Sequence, residues 1–126
     1  MFDGQAEEAI RFYLSVVKDS RMVSVVRYGK NQAGKEGSVM RAEFNLAGQR
    51  VVAIDSPAKH DFSFTPSFSL LVDCTDQGEI DQLFARLSEG GSVRMPPDCY
   101  GFSQKFAWLS DRYGVSWQLN LPHPMS

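Results

Sequence analysis

GFSQKFAWLSDRYGVSWQLN, residues 101–120, has the outline of a β-hairpin. Two strand-like runs at 104–109 and 115–121 flank residues 110–114, whose Asp, Tyr and Gly predict a turn. Side chains alternate between the two faces of a strand. In the second run one face carries Val115, Trp117, Leu119 and Leu121, and the other carries Ser116, Gln118 and Asn120. The pattern predicts an antiparallel hairpin with one apolar and one polar face.

The residues ahead of this hairpin complete a βαβββ unit. A strand is predicted at 67–74, where Ser67, Ser69 and Asp73 share a face with Leu71. A capping-box-like start at residues 76–79 opens a helix with an apolar face, and the helix ends at Gly90-Gly91. A short strand at 93–95 follows, and Pro96-Pro97 is expected to start a loop. The second half therefore orders its elements as strand, helix and three strands.

The first half has the same order without the leading strand. Residues 3 and 4 are expected to cap a helix that carries one apolar face from Ala6 to Val17. Strands are predicted at 22–28, 38–46 and 49–55. An internal duplication follows, with module 1 at about 1–58 and module 2 at about 66–122. We predict one α+β domain of paired βαβββ modules, whose curved mixed sheet encloses a concave cleft. The first strand of module 1 is expected to be truncated or missing.

Composition narrows the classes of function. The chain has 126 residues, a formal charge of -2 and 43% hydrophobic residues, so it is expected to build a core. We find no basic patch for nucleic acid and no apolar run long enough to span a membrane. The two cysteines, Cys74 and Cys99, do not form a disulfide scaffold, which favours a cytoplasmic protein.

Several motifs resemble those of one superfamily. They are FDGQAEEA at 2–9, FYLS at 12–15, HDFSF at 60–64, SFS at 67–69 and the hairpin at 101–120. The chain is identified as similar to the vicinal oxygen chelate superfamily, which includes glyoxalase I, extradiol dioxygenases and bleomycin resistance proteins. Within it the chain resembles the PhnB-like branch, often labelled 3-demethylubiquinone-9 3-methyltransferase. The resemblance implies a glyoxalase-like fold and a homodimer.

Enzymes of that superfamily hold a divalent metal through His and Glu ligands on the module strands. By resemblance, this chain offers Ser67 where a His is usual and Gln118 where a Glu is usual. At the equivalent place in module 1 it offers Val52, with Asp55 nearby. Hydroxyl and amide groups are poor ligands for Zn or Fe. We therefore expect no metal of the usual kind and no other cofactor.

We predict instead that the cleft binds a small, partly aromatic molecule. His60 is the candidate catalytic residue, as a general base or a donor to the ligand, although a purely structural role is equally open. The candidate ligand-binding residues carry polar or aromatic side chains: Ser67, Ser69, Gln118, Asp55, Phe102, Phe106 and Trp108. The aromatic members could equally belong to the core.

Two other functions remain open. A metal-dependent lyase, isomerase or dioxygenase would use His60, Asp55 and a donor on the missing strand, and a resistance-type protein would sequester a drug unchanged. Methyl transfer is disfavoured, because the chain lacks the strand–Gly-x-Gly–helix unit of a common methyl-donor site. Whether the chain is an enzyme is left open by the sequence.

Overall fold

A computed structural model describes residues 1–123 of the chain. It contains two helices and seven strands: α1 (Ala6–Val16), β1 (Arg21–Arg27), β2 (Val39–Leu46), β3 (Gln49–Ala53), β4 (Leu70–Asp73), α2 (Gln77–Ser88), β5 (Ser92–Asp98), β6 (Lys105–Ser110) and β7 (Ser116–Leu121). The predicted α+β class is confirmed. The chain divides into two compact units, Met1–Ser63 and Phe64–Ser126. No helix within the described residues is long and apolar enough to cross a membrane.

The first unit is an antiparallel sheet in the order β1-β2-β3, with α1 packed on β2. Alternation along β2 buries Ala42, Phe44 and Leu46 and leaves Arg41 exposed. Phe2 continues this sheet beyond β3 through a parallel bridge to Asp55. In this bridge the N–H of Phe2 donates to the carbonyl of Ile54 at 2.8 Å.

The start of α1 differs from the prediction. Residues 3 and 4 do not cap the helix, which begins at Ala6 with Gln5 at the N-cap, and the Gln5 side chain makes no capping bond. The cap comes from Asp55, a buried carboxylate that is 3% exposed. Its Oδ1 accepts the N–H of Ala6 at 2.9 Å, and its Oδ2 accepts the N–H of Val39 at 2.8 Å. Asp55 therefore joins the end of the sheet to the helix N-terminus, where a negative charge is favourable.

The second unit is a four-stranded sheet in the order β4-β7-β6-β5, with α2 on one face. β4 and β7 are parallel, and the other neighbours are antiparallel. The core lies between α2, which contributes Ile80 and Leu87, and the apolar residues of the sheet, which include Trp117 and Leu119. Phe2, β3, β2 and β1 follow the same spatial order in the first unit.

Two strands of the second unit have different bounds from those predicted. β5 continues through Pro96 and Pro97 to Asp98, where the sequence predicted a loop. The strand tolerates both prolines because it lies at the sheet edge, where a missing N–H need not break the ladder. β4 begins only at Leu70, so Ser67 and Ser69 precede the strand.

Candidate functional site

The second sheet carries a polar face on the side opposite α2. We call this the open face. Residues paired across a sheet share a face, and Gln118 pairs with Leu71 on one side and with Trp108 on the other. By the same register the open face contains Ser69, Leu71, Asp73, Phe106, Trp108, Ser116, Gln118 and Asn120. Gln118 therefore lies at the centre of this face.

A chain of hydrogen bonds runs across one end of the open face. The indole Nε1–H of Trp108 donates to Ser116 Oγ at 2.9 Å, and Ser116 Oγ lies 2.6 Å from Ser69 Oγ. Gln118 Nε2 donates to Ser69 Oγ at 3.4 Å. Ser116 is buried, being 2% exposed, whereas Ser69 and Gln118 are half-buried. The bonds fix the orientation of the Trp108 ring and of the Ser69 hydroxyl before any ligand arrives.

The other end of the open face is also ordered by polar contacts. Asn120 donates through Nδ2 to Asp73 Oδ1 at 2.9 Å, and its Oδ1 accepts from Ser103 Oγ. Both the NH₂ group and the carbonyl oxygen of the Asn120 side chain are thus hydrogen-bonded within the protein. Within residues 1–123, Gln118 Oε1 accepts no hydrogen bond. Of the two side-chain amides in this row, Gln118 is therefore the one with an oxygen that can still accept a hydrogen bond from a ligand.

Aromatic rings border the open face. Phe102 and Phe106 meet edge to face with centroids 5.0 Å apart, and Tyr100 packs on both rings. Phe102 is 58% exposed, whereas Phe106 is buried. At the other end the guanidinium of Arg94 lies 5.8 Å from the centre of the Trp108 ring. The polar row is therefore flanked by an apolar cluster and a cation.

The structure brings some of the predicted site residues together and separates others. Ser69, Gln118, Phe106 and Trp108 share the open face, and Phe102 contacts it through Phe106. Ser67 precedes β4, and its hydroxyl bonds to Thr65 Oγ1 at 2.7 Å. The sequence analysis did not select Ser116 or Arg94. Alternation had placed Ser116 on the polar face, but its bond to Trp108 depends on the pairing of β6 with β7.

His60 and Asp55 belong to the first unit. His60 is exposed, its ring stacks on Phe62 with centroids 4.7 Å apart, and its Nε2 lies 3.0 Å from Ser56 Oγ. Ser56 Oγ also donates to the carbonyl of Ala58 at 2.7 Å. A hydroxyl has one hydrogen, so Nε2 of His60 donates to Ser56 and the other ring nitrogen, Nδ1, is the one that could act as a base.

The residues present do not fit the divalent metal that the sequence resemblance implies. Both carboxylate oxygens of Asp55 accept backbone N–H groups. Within residues 1–123, no group of three His, Cys, Asp or Glu side chains converges as metal ligands would. The open face presents hydroxyls and amides around Gln118, which are weak ligands for Zn or Fe.

The two cysteines have opposite surroundings, which predicts different reactivity. Burial and, to a smaller extent, the charges of Glu79, Asp73 and Asp76 together raise the pKa of the Cys74 thiol to about 12. Cys99 is exposed. Because the thiolate is the reactive form, we expect a disulfide reagent at about pH 8 to label one thiol per folded chain. In denaturant both thiols should react, and Cys99→Ser should leave the folded chain unlabelled. Rapid labelling of folded Cys99→Ser would show that Cys74 is accessible.

The fold and the open face define an α+β protein with a repeated strand order and a polar, aromatic-bordered sheet face. The chain belongs to the 3-demethylubiquinone-9 3-methyltransferase family, whose sequence profile matches residues 1–120. The PhnB protein from Bacillus cereus is 51% identical, with 96% of this chain and 94% of that chain covered and a TM-score of 0.93. Protein PA1353 from Pseudomonas aeruginosa is 25% identical, with 98% and 93% covered and a TM-score of 0.84. Among curated proteins no match is found.

Proposed function

We propose that this PhnB-like protein binds a small, partly aromatic molecule on the open face, with Gln118 as the central polar contact. The observation that carries the proposal is the position of Gln118. Its amide lies between Leu71 and Trp108 and accepts no hydrogen bond within the described residues. A polar group held between apolar side chains is typical of a site that orients a ligand.

The apolar surroundings supply the contact area for such a ligand. Leu71 and Phe102 are both 58% exposed, although each is a large hydrophobic side chain. Burying such side chains stabilises a complex by about 25 cal/mol per Å² of apolar surface. Aromatic rings at the border add a preference for a planar ligand, since offset and edge-to-face ring pairs are favourable. Ser69, Phe106 and Trp108 complete the proposed contacts.

The proposal is binding rather than methyl transfer, although the family description names a methyltransferase. Six of the seven strands pair antiparallel to at least one neighbour, and the single pair of parallel strands is β4 with β7 within the described residues. Common methyl-donor sites lie on parallel α/β sheets. The proposal of binding rests on the arrangement of side chains on the open face and not on this comparison of sheet types.

Two tryptophans make the test direct. The Trp108 indole N–H lies on the open face, whereas the Trp117 indole N–H is buried and donates to Asp111 Oδ2 at 2.8 Å. Titration of ¹⁵N-labelled protein with benzamide, benzoate and benzyl alcohol should shift the Trp108 indole resonance and leave that of Trp117 in place. Trp108→Phe assigns the two resonances.

Gln118→Ala should weaken binding of the best probe about tenfold, as expected when one or two hydrogen bonds in a desolvated site are lost. Gln49→Ala is the matched control. The Gln49 side chain is exposed on β3 and donates to the carbonyl of its neighbour Arg50. Binding that leaves the Trp108 resonance unmoved, or that survives Gln118→Ala unchanged, would contradict the proposed site.

A further inference from the structure

We infer that the open face selects ligands whose polar end accepts hydrogen bonds, and that the preferred class is an aromatic or apolar molecule ending in a carboxylate or similar anionic oxygen group. The inference deepens the proposed function and rests on it. It follows from the direction of the hydrogen bonds among Trp108, Ser116 and Ser69.

The direction is set at Trp108. An indole N–H donates and cannot accept, so Ser116 Oγ is the acceptor in its bond with Trp108. The hydrogen of the Ser116 hydroxyl then needs an acceptor of its own. Within residues 1–123 the remaining partner is Ser69 Oγ at 2.6 Å, and Ser116 is too deeply buried to donate to solvent. Ser116 therefore donates to Ser69.

The hydrogen bonds of Ser69 determine whether a donor or an acceptor is presented at the surface. Ser69 Oγ accepts from Ser116 and also from Gln118 Nε2 at 3.4 Å, which occupies both of its lone pairs. The hydrogen of Ser69 must then point to a group outside this chain of bonds. A rotated Gln118 amide leads to the same result: Ser69 would donate to Oε1, and the Nε2 hydrogens would turn outward. In both arrangements a donor faces the ligand. In the first arrangement Gln118 Oε1 also faces the ligand as an acceptor, whereas in the rotated arrangement Ser69 and Gln118 present only the Nε2 hydrogens outward, so an anionic ligand selects the rotated amide.

Charge at the same end of the face favours an anion. The guanidinium of Arg94 lies 5.8 Å from the centre of the Trp108 ring, and no ion pair of Arg94 occurs within the described residues. The nearest acidic residue in the β4 row is Asp73, four residues from Ser69 and so about 13 Å along the chain. The Asp73 carboxylate already accepts from Asn120. The face thus offers a hydrogen-bond donor on the β4 side, at Ser69, and a cation on the β5 side, at Arg94.

The apolar cluster sets the orientation of the ligand. Phe106 pairs with Asn120, whereas Trp108 pairs with Gln118, so the phenylalanine cluster lies towards the Asp73 end of the face. A ligand whose anionic group bonds to Ser69 would extend over Leu71 towards Phe102 and Phe106, and Arg94, which lies by Trp108 from the other edge of the sheet, would add its positive charge at longer range. An aromatic carboxylate such as benzoate or a longer phenylalkanoate has this distribution of charge and apolar surface.

The experiment compares three probes of one size: benzoate, benzyl alcohol and benzylammonium. Titrations follow the indole resonances of the full chain. Benzoate should bind at least tenfold more tightly than benzylammonium, with benzyl alcohol between them. Ser69→Ala should reduce benzoate affinity about tenfold and leave benzylammonium affinity within twofold. Ser24→Ala, a strand serine of the first sheet, is the control and should change neither.

Ser116 acts through Ser69 and is a positioning residue, so its variant needs a readout that a general loss of stability would not give. In Ser116→Ala the Trp108 indole N–H loses its acceptor. The preference for benzoate over benzylammonium should fall by about the same factor as in Ser69→Ala, while the Trp117 resonance marks an intact core. Arg94→Gln should weaken benzoate binding and make it less sensitive to salt.

The possible outcomes distinguish a failure of the inferred anion preference from a failure of the proposed ligand binding on the open face. Equal binding of the three probes, or a preference for benzylammonium, with the Trp108 resonance shifting, would overturn the inference and leave the binding face intact. Benzoate selectivity that persists in Ser69→Ala would also overturn it. If no probe moves the Trp108 resonance, the proposed function fails and the inference fails with it.

Discussion

Asp111→Ala is expected to destabilise the protein by about 4 kcal/mol, the largest effect of any single substitution proposed for this chain. Asp111 lies in the turn before β7 and is 4% exposed. Its Oδ1 accepts the N–H groups of Tyr113 at 2.8 Å and Val115 at 3.1 Å, and its Oδ2 accepts the indole N–H of Trp117 at 2.8 Å. Alanine leaves these donors without that acceptor in a buried turn.

Urea unfolding followed by near-UV circular dichroism measures this loss. Asp111→Asn separates the contributions, because its amide oxygen can still accept from the turn while its NH₂ group would face the Trp117 N–H. We expect an intermediate loss of about 2 kcal/mol. Asp81→Ala is the control: its ion pair with Lys105, at 2.6 Å, is exposed to solvent and should contribute less than about 1 kcal/mol. A loss below that of Asp81→Ala would contradict the role given to Asp111.

Asp55→Ala is expected to cost about 3 kcal/mol, with the effect concentrated in the first unit. The substitution removes the cap of α1, which is typically worth about 1 kcal/mol, and leaves the Val39 N–H without its carboxylate acceptor. Hydrogen exchange should show the amides of Ala6 and Val39 losing protection together, since one carboxylate holds both.

Gln5→Ala tests whether the cap comes from Asp55 or from the residue next to the helix. The Gln5 side chain makes no capping bond, so this variant should change stability by less than about 0.5 kcal/mol. Asp55→Asn keeps one acceptor oxygen and should protect one of the two amides. Undiminished protection of both Ala6 and Val39 in Asp55→Ala would exclude the bridging role.

Sequence reasoning predicted α2 well because its signals are local. Asp76 was expected to open a capping box, and Asp76 Oδ1 accepts the N–H of Glu79 at 2.8 Å. The Glu79 carboxylate in turn accepts from Thr75 N at 2.8 Å. All three residues lie within five positions of one another, so the sequence alone contains the motif.

The errors fall where distant residues decide the structure. The cap of α1 comes from Asp55, 49 residues beyond the N–H that it accepts, and no local pattern identifies such a partner. β5 passes through Pro96 and Pro97 because it lies at a sheet edge, and edge position follows from strand order rather than from local sequence. Local signals, a capping pair at residues 3 and 4 and a proline pair at residues 96 and 97, therefore gave the wrong boundary in both places.

The candidate site divides in the same way. Alternation along β7 placed Ser116, Gln118 and Asn120 on one face, and the strand register agrees with that placement. The bonds that give the face its donor character depend on which residues of β4 and β6 lie opposite. Trp108 meets Ser116, and Ser116 meets Ser69, only in the observed register. Alternation along the strand could predict a polar row, but not the direction of its hydrogen bonds.

The two prolines of β5 also affect how molecules of this protein meet one another. A sheet edge normally exposes amide hydrogens to which a strand of another molecule can attach, and this is how many proteins begin to form fibrils. Pro96 and Pro97 have no such hydrogens, and they stand side by side on the outer strand of the second sheet. Because successive N–H groups of a strand point to opposite sides, the pair removes an amide hydrogen from the outer edge whichever proline faces outward, so the hydrogen-bond ladder to a foreign strand would be interrupted there.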